Sequence, residues 1–324
     1  MRYRIGIVGV SGYGGGEVLR LCASHPNMDV VYVAGETSAG SRLVEKFPAL
    51  TGPLSELTIS KWEPGELPKL DLLFASLPSG QSKSALARVS PETRIVDIGG
   101  DHRYVDGWTY GLADVWPDRI RGATRIANPG CYPAATLTAI APLAAGGLID
   151  PEAPVIIDAK SGVSGAGRGG GSTFGYAEVN ESVLAYGLLK HAHVPEIDAS
   201  LRQMKLKPAP LVFTPHLIPM TRGILSTIYL RGEATTEQCA AAARDFYRGR
   251  HFVRILDKPP HTKHATGSNL VFVHYAADPA RKLVVAISAI DNLGKGAGGQ
   301  AVQNANLMLG LDEKAGLEHL PLWP

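Results

Sequence analysis

Residues 3–36 read YRIGIVGVSGYGGGEVLRLCASHPNMDVVYVAGE, and the order of the parts in this stretch predicts the architecture. The apolar run YRIGIVGV ends at glycines, and GGEVLRLCASHP then reads as a helix that Pro26 terminates. MDVVYVAGE follows as a second apolar strand. A strand, a glycine-rich turn, a helix and a strand within about 30 residues form a βαβ unit, which predicts a parallel sheet.

The turn in this unit has a GxxGxxG spacing between the first strand and the helix. Glycines there let backbone N–H groups approach a pyrophosphate, and the helix N-terminus adds positive potential. Glycine-rich turns also occur for packing reasons alone, but the position at the first βα junction favours nucleotide binding. The predicted dinucleotide-binding residues of the turn are Gly9, Ser11, Gly12, Tyr13, Gly14 and Gly15.

The end of the second strand bears on which nucleotide is bound. An acidic residue there holds the ribose 2′-OH of NAD, whereas a cationic residue favours the 2′-phosphate of NADP. The sequence has both, since Glu36 is followed by Ser38 and Arg42. Ser38 with Arg42 forms a plausible phosphate clamp, because a guanidinium offers several donors to phosphate oxygens. We therefore expect NADP(H), with a solvated surface role for Arg42 as the alternative.

Further strands divide the chain into two domains. DLLFASLPSG, TRIVDIGGD and TRIANPG read as short strands that end in polar residues, glycine or proline, as at the ligand-facing edge of an α/β sheet. After residue 145 long strands dominate, and the one clear helix among them is TTEQCAAAARDFYRG, with a threonine N-cap. We expect a Rossmann-type doubly wound parallel-sheet domain at 1–145, with a C-terminal helix at 296–324 packing back on it. An α+β domain with a largely antiparallel sheet is expected at 146–295.

Composition excludes several classes of protein. The 324 residues are 45% hydrophobic and 19% charged with a net charge of +2, which gives no reason to expect nucleic acid or a membrane surface as partner. The chain enters a strand at once without a signal-peptide pattern, and we find no apolar run of the roughly 20 residues that a membrane span needs. Three widely spaced cysteines without CxxC or histidine at metal spacing predict neither disulfides nor a metal site. A reducing cytoplasm is the expected location.

Cys131 lies between the turn NPG and the helix-prone run YPAATLTAIAPLAAGG. A thiolate is stabilised by a helix N-terminus, so this position suits a nucleophile better than a packing residue. Cys22 and Cys239 lie inside amphipathic helical segments, where a free cysteine is usually a small core residue. The sequence therefore singles out Cys131.

The segment KHAHVPEI supplies imidazoles that could accompany this thiol. His191 and His193 are two residues apart, and in an extended segment residues two apart point the same way. Glu196 is placed to orient one of them through its second ring nitrogen. Either histidine qualifies as the acid/base.

The glycine-rich stretch KSGVSGAGRGGGSTFG combines hydroxyls, backbone donors and a guanidinium. Such a composition predicts an anion site for a phosphate or a carboxylate, with a flexible surface loop as the alternative. A second cation follows in PHLIPMTRGILS. The residues concerned are Ser161, Gly162, Ser164, Gly165, Gly167, Arg168 and Arg222.

A nicotinamide domain, a thiol, an imidazole and an anion pocket together predict one reaction class. Thiolate attack on an activated acyl group gives a thioester, and hydride from NADPH reduces it to an aldehyde. An acyl phosphate has a suitable leaving group.

Six stretches resemble motifs of the N-acetyl-γ-glutamyl-phosphate reductases of arginine biosynthesis. They keep that family's order from residue 6 to about residue 310, and the cysteine motif is the most specific of them. The stretches are GVSGYGGGE, ANPGCYPAA, DAKSGVSGAGR, HAHVPEI, FTPHLIPMTRGIL and AIDNLGKGAGGQAVQNANLMLG.

The resemblance implies NADPH-dependent reduction of N-acetyl-γ-glutamyl phosphate to N-acetylglutamate semialdehyde by a homodimer or homotetramer built mainly through the second domain. It implies Cys131 as nucleophile, with His191, His193 and Glu196 completing the catalytic set. The implied cofactor residues outside the turn are Ser38, Arg42, Pro78, Ser161, Gly162 and Asn292. The implied substrate or phosphate residues are Arg103, Asn128, Ser164, Gly165, Arg168 and Arg222.

Two alternatives remain at this point. A related branch reduces aminoadipate 6-phosphate on a small carrier protein in lysine biosynthesis, and the glycine run at 169–171 would admit a bulkier substrate. The second alternative is a nucleotide-binding regulator that kept the fold without catalysis, for which Cys131 and the two histidines would have no use.

Overall fold

The protein is described by a computed structural model that covers residues 2–168 and 174–322. The chain divides into two compact units, each containing one β-sheet. The first unit comprises Met1–Pro129 and Ala297–Glu318, and the second comprises Gly130–Gly296 and His319–Pro324. The glycine run at 169–171, on which the argument for a bulkier substrate depends, lies outside the described residues.

The strands of the described residues are short in the first unit and longer in the second. In chain order they are β1 Tyr3–Val8, β2 Met28–Ala34, β3 Leu72–Ala75, β4 Arg94–Asp97, β5 Thr109–Tyr110, β6 Arg125–Ala127, β7 Val155–Ser161, β8 Leu184–Ala185, β9 Leu211–Leu217, β10 Ile224–Arg231, β11 Val253–Ile255, β12 Val271–Asp278 and β13 Leu283–Ile290.

The α-helices vary from single turns to four turns. In chain order they are α1 Tyr13–Ala23, α2 Leu43–Lys46, α3 Pro53–Glu56, α4 Ser82–Leu86, α5 Pro117–Ile120, α6 Cys131–Ala145, α7 Tyr176–Val179, α8 His193–Gln203, α9 Thr236–Phe246 and α10 Gly299–Met308. A π-helical turn, Gly294–Gly298, precedes α10.

The sheet of the first unit has the strand order β2-β1-β3-β4-β6-β5, and all of its recorded pairs are parallel. Strand β3 is buried along its whole length, as expected where a parallel sheet is covered on both faces. Helix α1 ends at Ala23, shortly before Pro26. The predicted parallel Rossmann-type sheet is confirmed.

The sheet of the second unit has the order β11-β12-β13-β10-β7-β9-β8. It is mixed, because β7 pairs with β9 and β11 pairs with β12 in parallel while the other recorded pairs are antiparallel. The expected largely antiparallel sheet is therefore present. Helix α9 begins as expected at a threonine cap, where the Thr235 hydroxyl accepts from Gln238 N–H at 3.2 Å and Gln238 Oε1 accepts from Thr235 N–H at 2.8 Å.

The division between the units differs from the predicted boundary at residue 145. Helix α6 belongs to the second unit because it is anchored to that unit's sheet. The Ser288 hydroxyl donates to Ala135 O and the Tyr275 hydroxyl to Ala139 O, each at 2.8 Å. At the C-terminus α10 lies in the first unit, whereas residues 319–324 group with the second, where Leu322 N–H donates to Thr266 O at 2.8 Å.

A buried histidine ties the C-terminal segment of the first unit to the turn after α1. His25 is 2% exposed, donates from Nε2 to Asn306 Oδ1 at 3.0 Å, and accepts from Asn27 N–H at Nδ1 at 3.1 Å. Asn306 in turn donates to Ala315 O at 2.9 Å. Burial lowers the pKa of His25, so its imidazole is neutral in the native state.

We predict that the free energy of unfolding falls as the pH drops below about 6.5, the ordinary pKa of histidine. Because the folded-state pKa is lowered, the unfolded chain binds the proton first, and stability is complete only above that pH. Replacing His25 with Gln removes this titrating group. The free energy of unfolding, measured by urea unfolding between pH 5 and 7, should then depend less steeply on pH, by at most about 1.4 kcal/mol per pH unit. Exposed His319→Gln should keep the native slope; equal slopes in all three proteins would contradict the prediction.

Candidate active site

The glycines of the first βα turn are required by close backbone approaches. Gly9 has φ +78°, and a Cβ there would collide with Ser76 O at the end of β3. A Cβ on Gly15 would collide with Gly9 O, so α1 can start this close to the strand only without side chains at these positions. Gly12 is the N-cap of α1, and a Cβ on Gly14 would lie 2.8 Å from Ser76 Oγ. The turn thus has the bare backbone that a pyrophosphate needs.

Two serines predicted to contact the cofactor meet beside this turn. Ser11 Oγ and Ser38 Oγ are hydrogen-bonded to each other, and a Cβ on Gly35 would come within 3.3 Å of both hydroxyls. The predicted clamp partner Arg42 instead donates to Glu56 Oε2 at 3.0 Å and lies 51% exposed. The structure thus brings Ser38 to the turn and holds Arg42 in a surface ion pair.

The loop after β3 carries Pro78, which is exposed. The Asp101 carboxylate fixes the residues that follow it, accepting from Gly80 N–H at 2.6 Å and from Lys83 N–H at 3.1 Å. Asp101 therefore connects the loop after β3 to the loop after β4 at the carboxyl edge of the sheet.

Arg103 and Asn128 meet at the same edge. Arg103 Nε donates to Asn128 O at 3.0 Å. The Asn128 side chain is fully buried, donates to Ala297 O at 3.2 Å and accepts from Asn304 Nδ2 at 2.9 Å. Asn128 thus joins the end of β6 to the residues before α10, which the sequence pattern did not predict because these segments are far apart in the chain.

Cys131 is the first residue of the 15-residue helix α6. Gly130 is the N-cap, in extended conformation with φ −68° and ψ 159°. The thiol is partly exposed, and a Cβ on Gly296 would lie only 2.8 Å from Cys131 Cβ. The first turn of a helix is a position at which the helix dipole favours an anion.

The ring of His193 lies against the residue that precedes the thiol. A Cβ on Gly130 would lie 2.7 Å from His193 Cδ2 and closer still to Nε2. Glycine at 130 therefore makes room for the imidazole. Glu196, 4% exposed, accepts from Gly130 N–H at 2.8 Å, a contact with the N-cap residue of α6.

The two predicted histidines lie together, although the backbone between them is helical and not extended, with Ala192 at φ −58° and ψ −20°. Their ring centroids are 4.8 Å apart, and His193 N–H donates to His191 Nδ1 at 3.1 Å. Burial lowers the pKa of His191, so its ring is neutral at neutral pH.

A tyrosine pair that the motifs did not indicate lies beside these rings. The Tyr132 and Tyr186 hydroxyls are 3.0 Å apart, and Tyr132 makes edge contacts with both imidazoles at 5.7 and 5.9 Å. Burial raises the pKa of Tyr186 to about 12, although the hydrogen bond with Tyr132 acts in the opposite direction. Tyr186 lies on the segment after β8, remote in sequence from Cys131, so its role was not visible in the sequence.

The predicted anion loop follows β7. A 3-10 turn, Val163–Ala166, packs on residues 220–223 through Val163 N–H to Met220 O at 2.9 Å and Ser164 N–H to Thr221 O at 3.1 Å. Ser161 and Gly162 are buried, whereas Gly165 and Arg168 are exposed. Backbone hydrogen bonds thus hold the start of this loop, whereas its end is exposed to solvent.

Arg222 is held by a carboxylate that the sequence analysis did not identify. Asp291 is fully buried and binds Arg222 in a bidentate ion pair, with Nε at 2.8 Å and Nη2 at 3.1 Å. The same carboxylate accepts from Leu293 N–H at 2.8 Å and Gly294 N–H at 2.9 Å. Asn292, next in the chain, accepts from Gly223 N–H at 2.6 Å and donates to Ser164 Oγ at 2.8 Å.

Within residues 2–168 and 174–322 we find no cluster of three or more histidine, cysteine, aspartate or glutamate side chains placed to hold a metal ion. In the same ranges none of the helices has the length and apolar character needed to cross a membrane.

Comparison with known proteins assigns the two sheets to one family of enzymes. Residues 4–123 match the model of the semialdehyde dehydrogenase NAD-binding domain, and residues 131–292 match that of the semialdehyde dehydrogenase dimerisation domain. The N-acetyl-γ-glutamyl-phosphate reductase of Bradyrhizobium sp. (strain ORS 278) is 66% identical over 325 residues, covering 100% of both chains. That of Symbiobacterium thermophilum is 41% identical over 350 residues, again covering 100% of both.

The chain belongs to the N-acetyl-γ-glutamyl-phosphate reductase family. The resemblance drawn from the sequence motifs is confirmed, and the carrier-protein branch is not favoured. Membership in a family of reductases also makes the protein an enzyme and not a regulator.

Solved structures with the same fold are semialdehyde dehydrogenases. Aspartate semialdehyde dehydrogenase II from Vibrio cholerae, complexed with ASA, has a TM-score of 0.74 at 17% identity and covers 96% of this chain and 99% of its own. The Candida albicans enzyme with NADP has a TM-score of 0.70 at 15% identity and covers 98% and 99%. These likenesses show that the reductase has the fold of this group.

We predict that Gly130→Ala lowers kcat at least 10-fold, because the new methyl group displaces the His193 ring. Overpacking of this kind typically costs about 1–3 kcal/mol. Gly65→Ala is the matched control, since its Cβ would meet only the mobile guanidinium of Arg88 at 3.2 Å. Steady-state kinetics of both variants test the prediction, with thermal unfolding as a check on folding. A folded and fully active Gly130→Ala variant would contradict it.

Proposed function

We propose that this chain reduces N-acetyl-γ-glutamyl phosphate to N-acetyl-L-glutamate 5-semialdehyde with NADPH, through a thioester on Cys131. The observation that carries the proposal is the placement of Cys131 at the start of α6, with the His193 imidazole against the preceding Gly130. A nucleophile at a helix N-terminus beside an imidazole is the arrangement that acyl transfer requires. The names of full-length relatives support this substrate.

In the proposed reaction a thioester forms on the Cys131 sulfur, is reduced by hydride and then releases the aldehyde. The Cys131 thiolate attacks the acyl carbon, a C–S bond forms, and the C–O bond to phosphate breaks with its electron pair leaving on the phosphate. NADPH, when bound, would supply the hydride that converts the thioester into the alkoxide of a hemithioacetal. Collapse of the hemithioacetal breaks the C–S bond and returns the thiolate with release of the aldehyde. The overall reaction consumes one proton, and the released inorganic phosphate carries it.

We assign the acid/base role to His193 and a supporting role to His191. His193 lies against Gly130, the residue before the thiol, and is therefore placed to take the thiol proton. His191 accepts from His193 N–H and, because burial lowers its pKa, stays neutral and keeps that acceptor. Glu196 holds the N-cap backbone through Gly130 N–H, which fixes where α6 and its thiol begin.

The first unit fits a dinucleotide. The turn at Gly9, Gly12 and Gly15 leaves its backbone bare, and the Ser11–Ser38 pair lies at the end of β2, where a ribose is held in this fold. A 2′-phosphate bound at Ser38 would draw Arg42 from Glu56, so NADP(H) is the proposed cofactor. The other residues proposed to hold it are Tyr13, Gly14, Pro78, Ser161 and Gly162.

Substrate oxygens would be bound by hydroxyl, backbone and guanidinium donors. The loop containing Ser164, Gly165 and Arg168 carries such donors at the end of β7, and Arg222 is fixed next to it through Asp291. Arg103 and Asn128 are proposed to contribute from the carboxyl edge of the first sheet. The reactive thiol also favours a reducing compartment, the cytoplasm.

We further propose that the chain forms a homodimer through the outer face of the second sheet. Residues 131–292 match a dimerisation domain, and Ser226 and Ser288 bond to α6 on the inner face. The opposite face carries Ile156 and Tyr229, which are cross-strand partners and are 42% and 38% exposed. Burial of such an apolar pair favours association.

Tyr229→Glu should convert the dimer into a monomer of 34.3 kDa by light scattering, because it places a charge in the apolar interface. Leu320→Glu is the control, since this side chain is 82% exposed but does not belong to the sheet. A dimer that survives Tyr229→Glu at micromolar concentration would contradict the proposed interface.

We predict that iodoacetamide modifies Cys131 first and abolishes NADPH-dependent turnover with the same rate constant. Burial raises the pKa of Cys22 to about 12 and that of Cys239 to about 11, so these two thiols should react far more slowly. Peptide mapping at successive times gives the order in which the three cysteines are alkylated, and the residual activity of the same samples shows which modification causes the loss. Cys22→Ala/Cys239→Ala should keep the inactivation rate, and turnover that persists after complete Cys131 alkylation would refute the nucleophile.

The substrate is tested in the oxidative direction, with inorganic phosphate and NADP⁺. N-acetylglutamate semialdehyde should support phosphate-dependent reduction of NADP⁺ with a higher kcat/KM than aminoadipate semialdehyde, free or bound to a carrier protein. Preference for the carrier-bound aldehyde would overturn the substrate while leaving the nucleophile in place.

A further inference from the structure

Asn292 connects two loops of the second unit and uses both ends of its amide to do so. Its side chain is 2% exposed, accepts from Gly223 N–H through Oδ1 at 2.6 Å and donates from Nδ2 to Ser164 Oγ at 2.8 Å. A backbone N–H can only donate, so the orientation of the amide is fixed. The sequence resemblance implies a cofactor contact for this residue, whereas its contacts lie with the substrate loop.

The hydrogen bond from Asn292 determines what Ser164 can do. Ser164 is 6% exposed, and its oxygen is the acceptor in this bond, so its own proton must point elsewhere. In the part of the chain that the structure describes, that proton has no acceptor. A buried hydroxyl proton without an acceptor is costly, which indicates that the acceptor comes with a ligand.

The backbone around Ser164 is fixed at the same point. Gly162 N–H donates to Gly223 O at 2.9 Å, and Ser164 N–H donates to Thr221 O at 3.1 Å. Gly223 has φ +120°, a conformation that favours glycine, and its N–H points to Asn292. The hydroxyl of Ser164 is therefore held by one side chain and by the backbone of the neighbouring loop.

The ion pair next in sequence adds a cation to this arrangement. Asp291 binds Arg222 while Asn292 binds Gly223, so two consecutive residues after β13 hold two consecutive residues before β10. A phosphoryl group has only acceptor oxygens and a double negative charge, which suits an oriented hydroxyl donor close to a guanidinium.

We propose that Asn292 is a positioning residue for phosphate, which it serves by directing the Ser164 proton towards the phosphoryl group of the substrate. This assignment rests on the proposed function, because it presumes an acyl phosphate. It separates Asn292 from cofactor binding and gives Ser164 one defined role as hydrogen-bond donor.

The test is the KM for inorganic phosphate in the oxidation of N-acetylglutamate semialdehyde. Asn292→Asp keeps an acceptor for Gly223 N–H, but its second carboxylate oxygen takes the Ser164 proton and adds a negative charge. A hydrogen bond to a charged group is worth a factor of about 10 to 100, so Asn292→Asp and Ser164→Ala should each raise the phosphate KM at least 10-fold. The KM values for NADP⁺ and for the aldehyde should change by no more than about twofold.

Ser226→Ala is the matched control. Ser226 is a fully buried serine of the same unit that bonds to Thr136, and its loss should leave the phosphate KM unchanged. The double variant Ser164→Ala/Asn292→Asp should raise the phosphate KM no more than about threefold beyond the stronger single variant, because both changes remove the same donor.

The outcomes separate this inference from the proposed function. A raised NADP⁺ KM with an unchanged phosphate KM in folded Asn292→Asp would overturn the inference and restore the cofactor role. An unchanged phosphate KM in both single variants would overturn it as well. Absence of phosphate-dependent turnover in the unmodified enzyme would overturn the proposed function and this inference with it.

Discussion

The missing side chain at Gly130 is the constraint on which the proposed catalytic arrangement depends. The His193 ring occupies the space that a Cβ at this position would need, and the Glu196 carboxylate binds the Gly130 N–H. His193 and Glu196 are three residues apart on α8, so they share one helical face. One turn of α8 therefore fixes both an imidazole and the backbone from which α6 starts.

Burial explains why one thiol of three is suited to chemistry. Cys22 and Cys239 are enclosed within their units, and desolvation raises their pKa because a thiolate there would lose its hydration. Cys131 is partly exposed at a helix start, where the helix dipole favours an anion. The flanking sequence already distinguished the two buried cysteines from the partly exposed one, since helix-interior and turn-to-helix positions differ locally.

Features encoded locally were predictable from sequence, and those created by tertiary packing were not. The Gly9 turn, Cys131 and the two histidines were singled out as candidates because spacing and chain position mark them. The sequence suggested a boundary at residue 145 because α6 follows closely on a strand of the first sheet in the chain, whereas the packing of α6 on the second sheet groups it with the second unit. Asp291 and Tyr186 were missed for the same reason, since their partners lie 69 and 54 residues away.

Two arginines that were expected to bind anions, Arg42 and Arg222, are both in ion pairs. The two pairs differ in burial, and therefore in the free energy needed to separate them. The Arg42–Glu56 pair is 51% and 73% exposed, and such surface pairs are worth about 0–1 kcal/mol, so a phosphate at Ser38 competes with it easily. Asp291 is fully buried, and separating it from Arg222 would leave an uncompensated charge at a cost of about 3–5 kcal/mol. In the proposed site Arg222 would therefore act from a fixed position, with Asp291 still bound, whereas Arg42 could exchange its partner at little cost.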